Sequence, residues 1–139
     1  MQFDKKTILE ICNKISKNTL METLQIKYID AGEDFLTAIM PVNQNVYQPM
    51  GLLHGGATVA LAESVGSAAS RFFIDTSKYN VKGIEITANH LKSVKNGNIT
   101  ATAKLLHKGR TTHLLEIKVF DDNKNLISFC KMTNIILAK

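Results

Sequence analysis

The apolar positions of the chain change period several times, and each change marks an element. Ile8, Ile11, Cys12 and Ile15 recur at helical spacing. Asp4 precedes them, where a carboxylate accepts hydrogen bonds from first-turn amides, so a helix is predicted from Asp4 to about Lys17. Residues 20–41 switch to alternation through Leu24, Ile26, Tyr28, Leu36, Ala38 and Met40, with Ala31-Gly32-Glu33-Asp34 as a turn. This predicts a two-stranded hairpin that ends at Pro41, since proline cannot donate to a sheet ladder. Residues 42–53 are rich in Asn, Gln, Pro and Gly and read as a loop.

Helical character resumes at Gly55 and runs to about Phe73. Alanine, leucine and valine occur all round this helix, which predicts burial on nearly every side. After the polar stretch 75–80 come four strand-like runs. Ile84, Ile86, Ala88 and His90 alternate, as do Ile99, Ala101, Ala103 and Leu105. Leu115, Ile117 and Val119 follow, and the last run extends from about Leu126 to Leu137. The separating turns are Lys95-Asn96-Gly97-Asn98, His107-Lys108-Gly109-Arg110 and Asp121-Asp122-Asn123-Lys124-Asn125.

Tight turns make antiparallel neighbours. The predicted class is therefore α+β, a curled antiparallel sheet of about six strands around a long central helix. The sheet covers only one side of that helix, so a partner subunit is expected on the other. At 139 residues, the chain is expected to form a single domain over 1–139.

Composition narrows the function classes without choosing one. The content of 45% hydrophobic and 21% charged residues is ordinary for a globular protein. No long apolar run predicts a membrane span, and MQFDKKTILE places charges where a secretory signal needs an apolar centre. A cytoplasmic protein is the expectation. Cys12 and Cys130 match no metal-ligand spacing and are expected to be buried thiols. The net charge of +5 raises the question of nucleic acid. The lysines are dispersed, however, and no helix-turn-helix, zinc-finger or aromatic RNA-binding signature is present. A small phosphorylated ligand suits the same charge.

The candidate chemistry lies in NVYQPMGLLHGGATVALAESVGSAAS, residues 45–70. Between Asp34 and Arg71 the only formally charged residue is Glu63, and the only histidine is His54. A helix that begins at Gly55 has unpaired first-turn amides at its dipole-positive end. Two glycines allow close approach, so the position suits a carbonyl oxygen that gains negative charge. Glu63 lies about two turns further in, and Ser67 is on its face at i+4. An unpaired carboxylate on an apolar helix is costly as a structural element, although structural ion pairs also place carboxylates this way.

Residues 45–70, with His54-Gly55-Gly56 and Leu61-Ala62-Glu63-Ser64, resemble the hotdog-fold acyl-CoA thioesterases. The branch is that of the 4-hydroxybenzoyl-CoA, phenylacetate-pathway, enterobactin-proofreading and dihydroxynaphthoyl-CoA thioesterases. Residues 83–91, GIEITANHL, and 106–110, LHKGR, share the resemblance. It implies Glu63 as nucleophile or as base for water, and the Gly55 amide as donor to the thioester oxygen. Gln48 and His54 orient the thioester from the second subunit, and Ser67 positions water or the carboxylate. It also implies His90 near the acyl or pantetheine portion and Gly83 among the substrate- or CoA-binding positions. His107, Lys108, Gly109 and Arg110 fall near the CoA nucleotide, as does Lys92, where relatives commonly carry arginine. The implied assembly is a dimer with sites between subunits, paired into a tetramer, with acyl-CoA as substrate and no separate cofactor. Aromatic and medium-chain acyl groups both remain open.

Two other readings on the same fold compete. A non-catalytic acyl-CoA sensor dispenses with the acid, whereas Glu63, His54 and Gln48 are all present. A dehydratase would pair a histidine with an aspartate about five residues away, and no such pair occurs in the sequence.

Overall fold

A computed structural model describes residues 4–139. Its elements, in chain order, are α1 (Lys5–Ile15), α2 (Leu20–Thr23), β1 (Lys27–Ala31), β2 (Phe35–Pro41), a 3-10 turn (Gln44–Val46), α3 (Gly55–Phe72), β3 (Tyr79–His90), β4 (Asn98–Lys108), β5 (Thr112–Asp121) and β6 (Leu126–Ala138). The strands form one sheet in the order β1-β2-β4-β5-β6-β3, and every neighbouring pair is antiparallel. The predicted α+β curled sheet around a central helix is the architecture found. β3 follows α3 directly in sequence yet lies at the sheet edge opposite β1.

The core forms where one face of the sheet meets α3. Opposed residues of an antiparallel pair share a face, so Leu36, Ala38 and Met40 of β2 lie with Ala103, Ala101 and Ile99 of β4. Leu115, Ile117 and Val119 of β5 continue that face to Met132, Cys130 and Ser128 of β6. Thr58, Leu61, Ala62, Val65, Gly66, Ala69 and Ser70 supply the buried stripe of α3. Gly66 permits the close approach: a Cβ there would lie 2.7 Å from Met132 Sδ. Cys12 and Cys130 are buried free thiols, and burial pushes the Cys12 thiol up to about 12.

The structure corrects three sequence expectations. The chain from residue 20 does not open as a strand but forms α2, bounded by Asn18 (φ 60) and Gln25 (φ 58) in the left-handed region. The strand begins only at Lys27. Second, α3 is not buried on nearly every side. His54, Gly56, Glu63 and Arg71 are exposed in the single chain, so only the sheet-facing stripe is covered. Third, Ile84 does not alternate in phase with Ile86. β3 begins at Tyr79 and carries a bulge between Gly83, opposite Asn134, and Glu85, opposite Thr133. The extra residue shifts the phase. Gly83, Ile86, Ala88 and His90 therefore share the face of buried Asn134, Met132, Cys130 and Ser128, and Ile84 is left 58% exposed.

Candidate active site

The loop before α3 is held by backbone bonds that aim the helix start. The His54 amide donates to the Val46 carbonyl at 2.8 Å, and that of Leu53 to the Val94 carbonyl at 2.8 Å. Gln48 lies in a tight turn with Gly51 at φ 75, its amide donating to the Leu52 carbonyl at 2.7 Å. The Gln48 side-chain oxygen accepts from the Met50 amide within the same turn.

His54 caps α3 with its own ring. Its Nδ1 accepts the Gly56 amide hydrogen at 2.7 Å, and its carbonyl accepts from Ala57 at 3.0 Å and Thr58 at 3.2 Å. An accepting Nδ1 places the ring proton of the neutral imidazole on Nε2. Among the described residues, the Gly55 N–H has no hydrogen-bond partner. The first turn thus presents one uncommitted amide at the positive end of an 18-residue helix.

His90 reaches this point from the end of β3. A Cβ on Gly55 would lie 2.8 Å from His90 Nε2, so glycine is what lets the ring lie against the helix start. The other ring nitrogen, Nδ1, is 3.0 Å from Ser128 Oγ. Gly55, His90 and Lys92 line one cleft of about 220 Å³.

Glu63 and Ser67 line a different cleft of about 420 Å³, together with Tyr28, Arg71 and Val81. Tyr28 is buried with its hydroxyl donating to the Ser64 carbonyl at 3.1 Å, and burial pushes its phenol upward. Glu63 has no ion pair among the described residues. Its Oε1 would be 3.3 Å from a Cβ on Gly83. Nine residues of α-helix separate His54 from Glu63 by about 13 Å along the axis, so they cannot converge on one carbonyl within a single chain.

The segment of His107, Lys108, Gly109 and Arg110 runs from the end of β4 into the turn before β5, where the Gly109 amide donates to the Thr112 carbonyl at 2.8 Å. It lies at the C-terminal end of α3, since His113 packs edge-on against Phe73 at a centroid distance of 6.3 Å. Lys92 lies at the N-terminal end beside Gly55. One chain therefore does not bring Lys92 together with Lys108 and Arg110.

Two polar residues escaped the sequence reading. His113 and Asn134 are directly opposed on β5 and β6 and are 1% and 0% exposed. Burial, then the charges of Lys108 and His107, hold the His113 imidazole below the ordinary histidine value. Both residues stand in phase with apolar inward positions, Asn134 with Met132 and Cys130, His113 with Leu115 and Ile117. That was the signal available.

A curled antiparallel sheet packed on one long helix, with an unpartnered amide at the helix start and a carboxylate farther along it, is a hotdog-type architecture. Comparison with known proteins agrees: residues 50–128 match the thioesterase superfamily, and the chain belongs to that family. It is 40% identical over 138 residues to the proofreading thioesterase EntH of Cronobacter turicensis, covering 99% of this chain and 100% of that one. It is 37% identical over 137 residues to the 1,4-dihydroxy-2-naphthoyl-CoA hydrolase of Escherichia coli, covering 99% and 100%. A crystal structure of a mutant thioesterase from Pseudomonas aeruginosa superposes with a TM-score of 0.94 at 39% identity, covering 100% of this chain and 97% of that one. Among the described residues, no helix is long and apolar enough to cross a membrane.

Proposed function

We propose that the protein hydrolyses an acyl-CoA, with an aromatic or medium-chain acyl group, to the free acid and CoA. The observation that carries this reading is the uncommitted Gly55 N–H at the start of the helix that also bears Glu63. A thioester is an activated carbonyl, so an oriented carboxylate and a few fixed donors suffice for its hydrolysis. The thioester oxygen accepts the Gly55 N–H and gains charge there as the carbonyl carbon becomes tetrahedral, with the helix dipole favouring that charge. Glu63 acts as nucleophile, forming an anhydride that water opens, or as base for a water that attacks directly. In both routes the C–S bond breaks and CoA leaves as the thiol. Ser67, one turn beyond Glu63, positions the water or the carboxylate.

The reading requires two chains. β3 is a 12-residue edge strand with its outer side unpaired among the described residues, a surface that proteins rarely leave open. The helix start lies beside His90 at one end of β3, and Glu63 lies beside Gly83 toward the other. Antiparallel pairing of two copies of β3 exchanges those ends. It brings Gly55 and His54 of one chain toward Glu63 of the second, where His54 Nε2–H and the Gln48 side-chain NH2 group orient the thioester. The same exchange carries Lys92 toward Lys108 and Arg110 of the other chain, a basic rim for the CoA phosphates. Dimers would pair further into a tetramer.

Thiol release from a panel of aromatic and aliphatic acyl-CoAs tests the reading. Turnover of at least one of them with kcat/KM above about 10⁴ per molar per second is expected. No release from any acyl-CoA would overturn it.

A further inference from the structure

Two imidazoles flank Gly55, and their hydrogen bonds give them opposite tautomers. His54 Nδ1 accepts from the Gly56 amide at 2.7 Å, so the neutral ring presents Nε2 as an N–H. His90 reaches the same glycine from β3, with its Nδ1 3.0 Å from Ser128 Oγ. Ser128 is fully buried on β6, directly opposite His90, and its Oγ also lies 3.2 Å from the Asn89 carbonyl oxygen. A hydroxyl carries one hydrogen, and a carbonyl can only accept. Ser128 therefore donates to Asn89, and its lone pair takes the hydrogen of His90 Nδ1. The reverse assignment would leave two oxygen lone pairs facing each other in a buried space, which is costly. Cys130 Sγ, at 3.7 Å from Ser128 Oγ, competes only weakly.

With its hydrogen on Nδ1, the neutral His90 ring carries a lone pair on Nε2. Among the described residues, no hydrogen bond reaches that nitrogen. The residue is exposed and lines the cleft of about 220 Å³ with Gly55 and Lys92. A Cβ on Gly55 would lie 2.8 Å from Nε2. Standard backbone dimensions then put Nε2 within about 5.5 Å of the Gly55 nitrogen. The helix start thus offers an N–H and, close beside it, an acceptor. One ligand that satisfies both carries an oxygen followed by an N–H a few bonds away. In an acyl-CoA whose thioester oxygen takes the Gly55 N–H, the first donor along the carrier is the pantetheine amide, two methylenes from the sulfur. The cleft continues to Lys92, whereas Glu63 lines the other cleft, so His90 faces the carrier arm rather than the acyl group.

We propose that Ser128 is a positioning residue that holds His90 in its Nδ1–H tautomer, so that His90 Nε2 accepts the pantetheine amide N–H nearest the sulfur. Ser128 touches no substrate and acts only through the ring. Its hydroxyl relays the Asn89 carbonyl to His90 and so decides which kind of atom Nε2 can meet. His54 and His90 then read the thioester and its carrier with opposite polarity, one as donor and one as acceptor. The inference rests on the proposed hydrolysis of an acyl-CoA at Gly55.

A pair of carriers separates this role from packing. Wild type, Ser128→Ala and His90→Ala are assayed on the S-acyl thioester of N-acetylcysteamine and on its ester isostere, in which oxygen replaces the N–H. Packing damage lowers both rates together, whereas a lost acceptor lowers only the rate on the amide. Wild type is expected to favour the amide carrier about fivefold or more in kcat/KM, and both variants to bring that ratio close to one. No preference in wild type, or an unchanged ratio in S128A, would overturn the proposal. The tautomer is read directly from two-bond 15N–1H correlation spectra of the histidine-labelled protein at a pH where imidazoles are neutral. His90 is expected to carry its hydrogen on Nδ1 in wild type and to move toward Nε2–H in S128A. A wild-type Nε2–H would overturn the proposal. If wild type releases thiol from neither carrier nor from any acyl-CoA, the reading of hydrolysis has failed. If it cleaves both carriers alike, only the roles of Ser128 and His90 have failed.

Discussion

His54 Nδ1 accepts the Gly56 amide hydrogen at 2.7 Å, so one imidazole both ends the loop and begins the helix. The ring has a capping role on one nitrogen and a free N–H on the other. The two roles separate by substitution. Asparagine is among the best N-cap residues, whereas alanine loses the cap at a cost of about 1 kcal/mol. His54→Asn is therefore expected to keep stability close to wild type in urea unfolding while kcat falls about tenfold to a hundredfold. His54→Ala is expected to lose both. Full activity of H54N would show that the ring only caps.

Gly55 and His90 are coupled by space. Because a Cβ on Gly55 would meet the His90 ring at 2.8 Å, Gly55→Ala must push the ring from Ser128 Oγ. A double-mutant cycle with His90→Ala is expected to show a coupling of about 0.5 kcal/mol or more, with G55A milder when the ring is gone. Additive losses in urea unfolding would mean that the two do not touch.

His113 gives the fold a pH dependence of known sign. It faces Asn134 on β6 and Phe73 at the end of α3, with Lys108 and His107 of β4 adding positive charge. Burial is the leading cause that holds its imidazole below the ordinary value of 6.5. The folded chain then binds fewer protons there than the unfolded chain, so this contribution to stability falls as pH drops below that value. Thermal midpoints measured from pH 7.5 down to 5 are expected to decline for wild type and to decline less steeply for His113→Gln. Parallel slopes would remove His113 as the cause.

The edge strand makes assembly testable. Ile84, extruded by the bulge and 58% exposed, lies beside the unpaired side of β3. The wild-type chain is expected to sediment at twice or four times its own mass. Ile84→Glu is expected to shift it toward monomer with loss of turnover, because each site draws on two chains. An active monomer would contradict the shared site.

Much of this architecture was legible because local chemistry fixes it. The start of α3 follows from His54-Gly55-Gly56, and the order of β4, β5 and β6 follows from alternation and turn residues. The Ile84 bulge was not legible, because it is set by how β3 pairs with β6 rather than by any residue of β3 alone. The α2 turn was missed for a related reason: left-handed Asn18 and Gln25 bound it, and neither is a glycine that would mark such a backbone. At the site, Glu63 stood out as an isolated charge, whereas Asn134 was hidden in a strand that also carries Ser128, Lys131 and Thr133. Its burial is set by pairing on both sides, opposite Gly83 of β3 and His113 of β5, which no residue of β6 alone announces.

The central claim is that Glu63 is the reacting carboxylate. Steady-state thiol release by wild type and Glu63→Gln, on the acyl-CoA that wild type turns over fastest, tests it most directly. The amide keeps the shape and removes the charge, so kcat is expected to fall about a thousandfold or more with the unfolding midpoint little changed. Equal turnover by the two proteins would contradict the account.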